Sequence, residues 1–228
     1  MILNLQLPPS ESSMKLEGER FSQSSEAMKT NIAIGNVNLA IGQLLLFFGD
    51  HEARGKRLMG EEEKGKSYTD LFPGLVLGRI DTFHKGIVWF AMAQKNKGKR
   101  KYRAEALKIK KLVGKWAKAG DPNVQHYDRM LCAEEAVLKK KHIVADKLYK
   151  EAIALAARGG HLHHAALFNE RYGEYRLEVH GNINVSKFYI EQAIKFYTEW
   201  GAVGKAEDLR ANGIRVAAHK AKIECDKQ

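Results

Sequence analysis

The sequence predicts an all-α fold, an α-solenoid of about nine helices built from helix pairs that repeat about every 40 residues. Three observations predict it. Proline is rare, with 4 in 228 residues. The long segments between the prolines are rich in Ala, Leu, Lys and Glu, which favour helix. Finally, helices are predicted to begin, at steps of 19, 19, 21 and 20 residues, near Asn123, His142, His161, Asn182 and Ala202.

The helix ends of this scheme are well marked downstream. Ile41, Leu45 and Gly49 indicate a first helix and its turn, and residues 75–94 and 99–118 indicate the next pair. The segment AGDPN at residues 119–123 stops one helix and starts another. Later helices are expected to end at residues that adopt the left-handed conformation, namely Gly159-Gly160, Gly181-Asn182 and Gly201.

A repeated packing pattern supports the pairing. A small residue, a large residue and a second small residue recur at the same spacing 41 residues apart, first as Ala145, Tyr149 and Ala152 and then as Ser186, Ile190 and Ala193. Small residues let neighbouring helices approach closely, and the large residue fills the gap between them. This is the packing rule of tetratricopeptide (TPR) helix pairs, and the helices here are longer than those of the standard repeat.

The domain organisation follows from composition. Residues 1–25 are polar and show no apolar periodicity, so we expect a disordered leader, followed by a TPR-like solenoid domain over residues 26–228. Cys132 and Cys225 are far apart and lack metal-binding spacing, which favours a reducing compartment. No run of about 18 apolar residues occurs. We therefore expect a cytoplasmic protein.

Residues 99–205 resemble the TPR-like array of large multidomain signalling proteins. The resemblance is carried by residues 99–102 (KRKY), 116–123 (WAKAGDPN), 133–134 (AE), 149–153 (YKEAI), 170–174 (ERYGE) and 200–202 (WGA). In that family a kinase-like domain and a P-loop ATPase precede the array, and a histidine kinase or nucleotide cyclase often follows it. No segment of this sequence matches those catalytic domains. The resemblance therefore implies a regulatory or scaffolding array in signal transduction.

The positive charge is concentrated in one segment. The formal net charge is +11, and the basic segment between Lys95 and Lys118 holds eleven basic residues and one acid, Glu105. Within it, an apolar seam recurs at steps of 4, 3, 4 and 3 and comprises Tyr102, Ala106, Ile109, Val113 and Trp116. The cations lie mostly off this seam. The candidate partner-binding residues are Lys101, Arg103, Lys108, Lys110, Lys111, Lys115 and Lys118.

Two interpretations of the basic segment are open. The seam packs inside the solenoid and the lysines are merely solvated, or the lysines form a docking strip for an acidic peptide, an anionic lipid or RNA. RNA is less favoured, because proteins that bind single strands interleave exposed aromatic side chains with their cations and both aromatics here belong to the seam.

Residues 60–67 (GEEEKGKS) match the P-loop pattern GxxxxGK[ST]. A phosphate-binding loop also needs a buried strand before it and a helix after it. Here the preceding residues predict helix, the following residues predict loop, and three glutamates would repel phosphate. An ATPase is therefore the least favoured function, and coincidence is the preferred explanation.

Two further clusters have structural alternatives. His161, His163 and His164 could suggest a metal, but neither the i, i+4 pair of a zinc helix nor an ExxH step occurs, so we expect a polar helix start. Glu170, Arg171 and Glu174 could suggest acid–base chemistry, but such groups more often tie helices together. No activated nucleophile is visible.

The sequence thus predicts a non-enzymatic protein–protein interaction module, with no cofactor and no metal. The expected partner is an acidic peptide segment or a neighbouring signalling domain, bound on the inner surface that the first helix of each pair lines. The alternatives are a nucleic-acid- or anionic-membrane-binding module that uses the basic segment, and the P-loop ATPase.

Overall fold

The computed structural model describes residues 31–49, 51–63, 76–96 and 100–211. The regular structure in these ranges is entirely helical, without strands, which confirms the all-α class. The helices are α1 (Asn31–Phe47), α2 (His51–Glu63), α3 (Val76–Lys95), α4 (Arg100–Lys118), α5 (Gln125–Leu138), α6 (His142–Arg158), α7 (Leu162–Glu178), α8 (Ile183–Trp200) and α9 (residues 203–211), with a 3-10 turn at Pro122–Val124. The predicted leader, residues 1–25, lies outside the described residues.

The predicted helix boundaries are confirmed from α4 onward. Asp121 is the N-cap of the 3-10 turn before α5, and its carboxylate accepts a hydrogen bond from the Asn123 backbone N–H at 3.0 Å. Gly201 ends α8 in the left-handed region (φ 90°), and its own N–H and that of Ala202 donate to carbonyls of the last turn. Such an end satisfies carbonyls that the helix leaves unpaired.

The described residues form two compact units, one ending at Leu148 and the other beginning at Tyr149. In the N-terminal unit, α3 is the central helix and contacts α1, α2, α4 and α5. Its residues from Asp81 to Ala93 are buried, apart from Lys85. A helix that is apolar on nearly all sides belongs in a core rather than on a surface.

Aromatic stacking connects α3 to its neighbours. Phe83 stacks on Tyr127 of α5 with ring centroids 4.2 Å apart, and Trp89 stacks on Tyr102 of α4 at 5.7 Å. Each such pair adds about 0.5–1.5 kcal/mol beyond the burial of its apolar area. The position of α4 on the core is therefore set in part by Tyr102, the first residue of the predicted seam.

The C-terminal unit is built on α7, whose residues 164–173 are all buried. Tyr149 of α6 stacks on Tyr172 of α7 at 5.1 Å, and Tyr189 of α8 meets the same Tyr172 edge-on at 4.4 Å. The predicted small positions Ala152 and Ala193 are 0% exposed. Their burial is what the small–large–small pattern predicts for a close helix contact.

Gly173 marks a close approach of α7 and α8. A Cβ atom at this position would lie 3.0 Å from side-chain carbons of Ile190 and 3.1 Å from the backbone oxygen of Ser186. The large residue of the second predicted triplet therefore fills the space that a glycine leaves on the facing helix. Among the described helices, none combines the length and apolar character needed to cross a bilayer.

We predict opposite effects for alanine at two helical glycines. Alanine favours helix over glycine by about 1 kcal/mol, so Gly114→Ala, which meets only a flexible Asp128 carboxylate at 3.3 Å, should stabilise the protein by about 0.5–1 kcal/mol. Gly173→Ala should instead cost about 1–2 kcal/mol, because the backbone of α8 cannot move aside freely. Urea denaturation measures both free energies of unfolding. Equal stabilisation by the two changes would contradict the close packing of α7 on α8.

Candidate functional site

Helix α4 has two opposite faces. On one face the seam packs inward, with Tyr102, Ala106 and Val113 buried and Ile109 and Trp116 partly buried. A lysine follows two positions after each of the last four seam residues. Two residues correspond to a rotation of about 200° around an α-helix, so these lysines lie opposite the seam. These four residues, which we call the cationic stripe, are Lys108, Lys111, Lys115 and Lys118.

The cationic stripe is exposed along its whole length. Lys108 lies 3.6 Å from Glu105, with its side chain 78% exposed, so this pair is weak. The other three lysines make no ion pair with any residue of the described ranges. Lys101 and Arg103 are also exposed and lie on the two flanks of α4 between the stripe and the seam. Six of the seven candidate residues are therefore on the surface.

Lys110 differs from the other candidates, because it ties α4 to α5. Its ammonium lies 2.7 Å from the Glu135 carboxylate, which Lys139 also contacts at 2.6 Å. Partial burial disfavours both charges, but the hydrogen bonds between them outweigh this effect. The pKa of Lys110 is therefore raised and that of Glu135 lowered. Lys110 therefore differs from the four lysines of the cationic stripe in forming an ion pair between two helices.

One large apolar side chain of α4 faces solvent beside the stripe. Leu112 is 37% exposed, and it lies within one helical turn of Lys108 and Lys115 on the same side of the helix. Trp116, by contrast, is partly buried and has the Arg79 guanidinium 5.8 Å from its ring. The accessible surface of α4 is thus cationic with one apolar neighbour and lacks a fully exposed aromatic ring.

A second site is the buried carboxylate of Glu170 in the C-terminal unit. One oxygen accepts a hydrogen bond from the Tyr197 hydroxyl and the other contacts the Lys205 ammonium, both at 2.7 Å. Glu170 lies on α7, Tyr197 on α8 and Lys205 on α9, so one carboxylate joins three helices. Burial and the nearby negative charge raise the pKa of Tyr197, which keeps its hydroxyl protonated as the donor. With both oxygens engaged, Glu170 acts as a structural tie.

Sequence reasoning identified Glu170 but missed its partners. Lys205 is 3% exposed although lysine is almost never fully buried without a partner. A signal was present, because Ala202, Ala206 and Leu209 recur at helical spacing and Lys205 falls on the same face. A charged residue on an otherwise apolar helix face predicts a buried ion pair.

Glu174 lies one turn after Glu170 and faces solvent. Although the residue is exposed, the protein around it limits hydration of the carboxylate, and this effect together with the negative charge of Glu170 raises the pKa of Glu174 to about 7. Glu178 adds to the rise, while Arg171 and Lys205 oppose it. The negative charges of Glu170 and Glu174 therefore repel each other across one helical turn.

The N-terminal unit contains a comparable buried network that the sequence did not reveal. Asp81 is 2% exposed. Its carboxylate lies 3.3 Å from the guanidinium of Arg54 of α2 and 2.7 Å from the ammonium of Lys85 of its own helix. Gly42 of α1 leaves the space that the Arg54 guanidinium occupies. These contacts connect the first three helices and explain how Asp81 and Lys85 fit into a stretch that is otherwise apolar.

The histidines at the start of α7 pack against aromatic rings. The His163 ring lies 3.8 Å from that of His164 and 5.3 Å from that of Trp200. Burial and the neighbouring His161 lower the pKa of His163 to about 4, so it is neutral at physiological pH. His164 is only 1% exposed and His161 and His163 are partly buried, so the helix start is less exposed than the sequence predicts.

The P-loop match begins inside a helix. Residues 60–63, its first four positions, continue α2, which begins at His51. A phosphate-binding loop needs a non-helical backbone there so that its N–H groups point at the phosphates. The remainder of the match lies outside the described residues.

Comparison with known proteins finds no match among protein-family models, curated proteins or solved structures. The choice of site therefore depends on geometry. The carboxylate of Glu170 is engaged in internal contacts, whereas the charges of the cationic stripe are exposed.

We predict strong coupling between Glu170 and Lys205. Glu170→Gln leaves the buried Lys205 with only the more distant Asp208, at 3.8 Å, and Lys205→Met leaves the Glu170 carboxylate without its ammonium. Each change alone should cost about 3–5 kcal/mol, whereas the double variant should be destabilised by much less than the sum. A double-mutant cycle by chemical denaturation measures the coupling. As a control, Lys187→Met breaks an exposed pair at 3.9 Å and should change stability by less than about 0.5 kcal/mol. Additive effects at Glu170 and Lys205 would contradict the buried tie.

We predict that Glu174→Gln stabilises the protein at high pH only. The pKa of Glu174 is about 7 in the folded protein, against an ordinary value of 4.5, so between these pH values the folded state keeps a proton that the unfolded chain releases. The contribution of this carboxyl group to the free energy of unfolding therefore falls as pH rises from about 4.5 to 7. Because solvent screens the exposed side chain, we expect a gain of about 1 kcal/mol for the variant at pH 8 and none near pH 4. Thermal unfolding at both pH values tests this, and an equal gain at pH 4 would contradict it.

Proposed function

We propose that the chain is a non-catalytic protein–protein interaction module whose cationic stripe binds an acidic segment of a partner protein. The observation that carries the proposal is the division of α4 into a buried seam and an exposed row of lysines, three of which have no ion-pair partner within the described residues. Lys110, on the same helix, differs from them because it forms an ion pair with Glu135.

The energetics of the stripe support binding over simple solvation. Its four lysines are neighbours three or four residues apart, and like charges at this spacing destabilise a helix by about 0.2–0.5 kcal/mol per pair. A solvated helix face usually alternates positive and negative charges, whereas the basic segment contains one acid, Glu105. An anionic partner would remove this repulsion, so the free energy gained adds to the affinity.

We further propose that the module is a TPR-like α-solenoid acting as a regulatory scaffold in signal transduction. Helices α6 to α9 begin at residues 142, 162, 183 and 203, close to the predicted 20-residue step. Ala145 and Ala152 in one triplet and Ser186 and Ala193 in the other are buried, as close helix pairing requires. The resemblance of residues 99–205 to arrays in signalling proteins adds the pathway class.

A protein partner is favoured over the two other polyanions. An amphipathic helix that binds a membrane surface inserts its apolar face among the lipids, but Tyr102, Ala106 and Val113 are occupied in the core. A single-stranded nucleic acid stacks its bases on exposed aromatic rings, and α4 offers only the partly buried Trp116. Leu112, in contrast, suits the apolar side chain of a peptide.

We predict that the stripe controls the rate of association. Changing Lys108, Lys111, Lys115 and Lys118 together to Gln should slow association several-fold and flatten its salt dependence, because exposed charges steer encounter over a Debye length of about 8 Å. The matched control changes four exposed lysines elsewhere, Lys141, Lys150, Lys187 and Lys195, to Gln, and thus removes the same charge.

The measurement compares the three proteins by affinity capture from cell extract, followed by surface plasmon resonance with each purified partner. A partner kept by wild type and control but lost by the stripe variant supports the proposal, provided nuclease treatment does not release it. Equal capture, rate and salt slope for all three proteins would overturn it. Preferential binding of RNA or anionic vesicles would favour the alternative polyanion function.

A further inference from the structure

The spacing of the cationic stripe carries information about the shape of its partner. Its lysines advance by 3, 4 and 3 residues from Lys108 to Lys118. With a rise of 1.5 Å per residue, the charges recur about every 5 Å and the stripe is about 15 Å long. The row runs parallel to the helix axis, because steps of three and four residues return to the same face of a helix.

An acidic α-helix and an acidic extended segment present different repeats to this row. Carboxylates three and four residues apart on a partner helix also recur about every 5 Å, so four of them face the four lysines in turn. Same-face side chains of an extended chain recur about every 6.7 Å. After three steps the extended segment is therefore about 5 Å out of register, so the outer lysine side chains would have to bend away from the row to form ion pairs with it.

Leu112 adds an apolar element beside the charges. Its side chain is 37% exposed and adjoins Lys108 and Lys115 on one flank of the stripe. On a partner helix, an apolar residue one position away from the acidic row would lie on the corresponding flank. A helix that is acidic on one face with an apolar edge thus complements both the charge and the single exposed leucine of α4.

We propose that the cationic stripe is a docking site for an acidic, amphipathic α-helix of a partner protein, whose carboxylates recur every three to four residues and whose apolar edge covers Leu112. This inference rests on the proposed function and specifies the conformation of the partner. It also implies side-by-side packing of the partner helix along α4, which adds a helix to the outer face of the N-terminal unit.

The test measures binding of three synthetic peptides to the 228-residue chain, and the peptides have the same net charge and the same numbers of glutamates and leucines. The first is a side-chain-stapled helix with glutamates in one row and a leucine at its edge. The second is the same stapled helix with the glutamates spread around its circumference. The third is unstapled, with glutamates at every second position and two D-residues that prevent helix formation. Fluorescence anisotropy at low ionic strength measures the dissociation constants.

We expect the striped helix to bind at least five-fold more tightly than either other peptide, and the preference to be lost in the quadruple stripe variant but kept in the control variant. Leu112→Ala should weaken the striped helix two- to five-fold without changing the salt slope, since it removes an apolar contact and no charge. If the three peptides bind equally, the helix proposal is overturned. If all three nevertheless depend on the stripe, the proposed function still holds. If partner capture depends on the stripe but the extended peptide binds best, the partner segment is a strand and this inference is wrong.

Discussion

Close approach of neighbouring helices is the constraint on which the rest of this structure depends. Because Gly173 has no side chain, the Ile190 side chain of α8 packs directly against α7 at this position. Buried alanines allow similar close contacts at the small positions of the small–large–small pattern. Helices this close have little room for adjustment, because protein interiors are packed as densely as organic crystals. The direction of each helix, and therefore of every side chain on it, follows from which faces carry the small residues.

Buried charges add a second layer of specification. Glu170 joins α7, α8 and α9, and Asp81 joins α3 to α2, in each case with a cation that is itself buried. An ion pair of this kind adds little net stability compared with apolar residues, but an arrangement that separates its members is strongly disfavoured. We therefore expect the two networks to disfavour alternative helix placements within each unit.

The exposed surface of α4 consists largely of side chains that do not pack in the core or pair with other helices. The seam of α4 is used by the core and Lys110 by the ion pair with α5, so the remaining interaction capacity of α4 is positive charge with Leu112 at its edge. Such a surface gains affinity mainly by long-range attraction and by relief of repulsion among its own lysines. The scaffold function proposed for the chain and the helical partner proposed for the stripe both follow from a rigid helix that presents charges at fixed intervals.

The sequence by itself determined the elements whose causes are local. Helix ends at Gly120, Gly160, Gly181 and Gly201, the 20-residue step and the seam from Tyr102 to Val113 all depend on residues within one or two turns, and the structure has them as predicted. The cationic row could be located for the same reason, since helical periodicity alone places its lysines opposite the seam. Only the tertiary structure decided which cations are available, because Lys110 and Lys205 are paired with acids 25 and 35 residues away in the chain. Ion pairs at such separations are created by helix packing, and no local pattern encodes them.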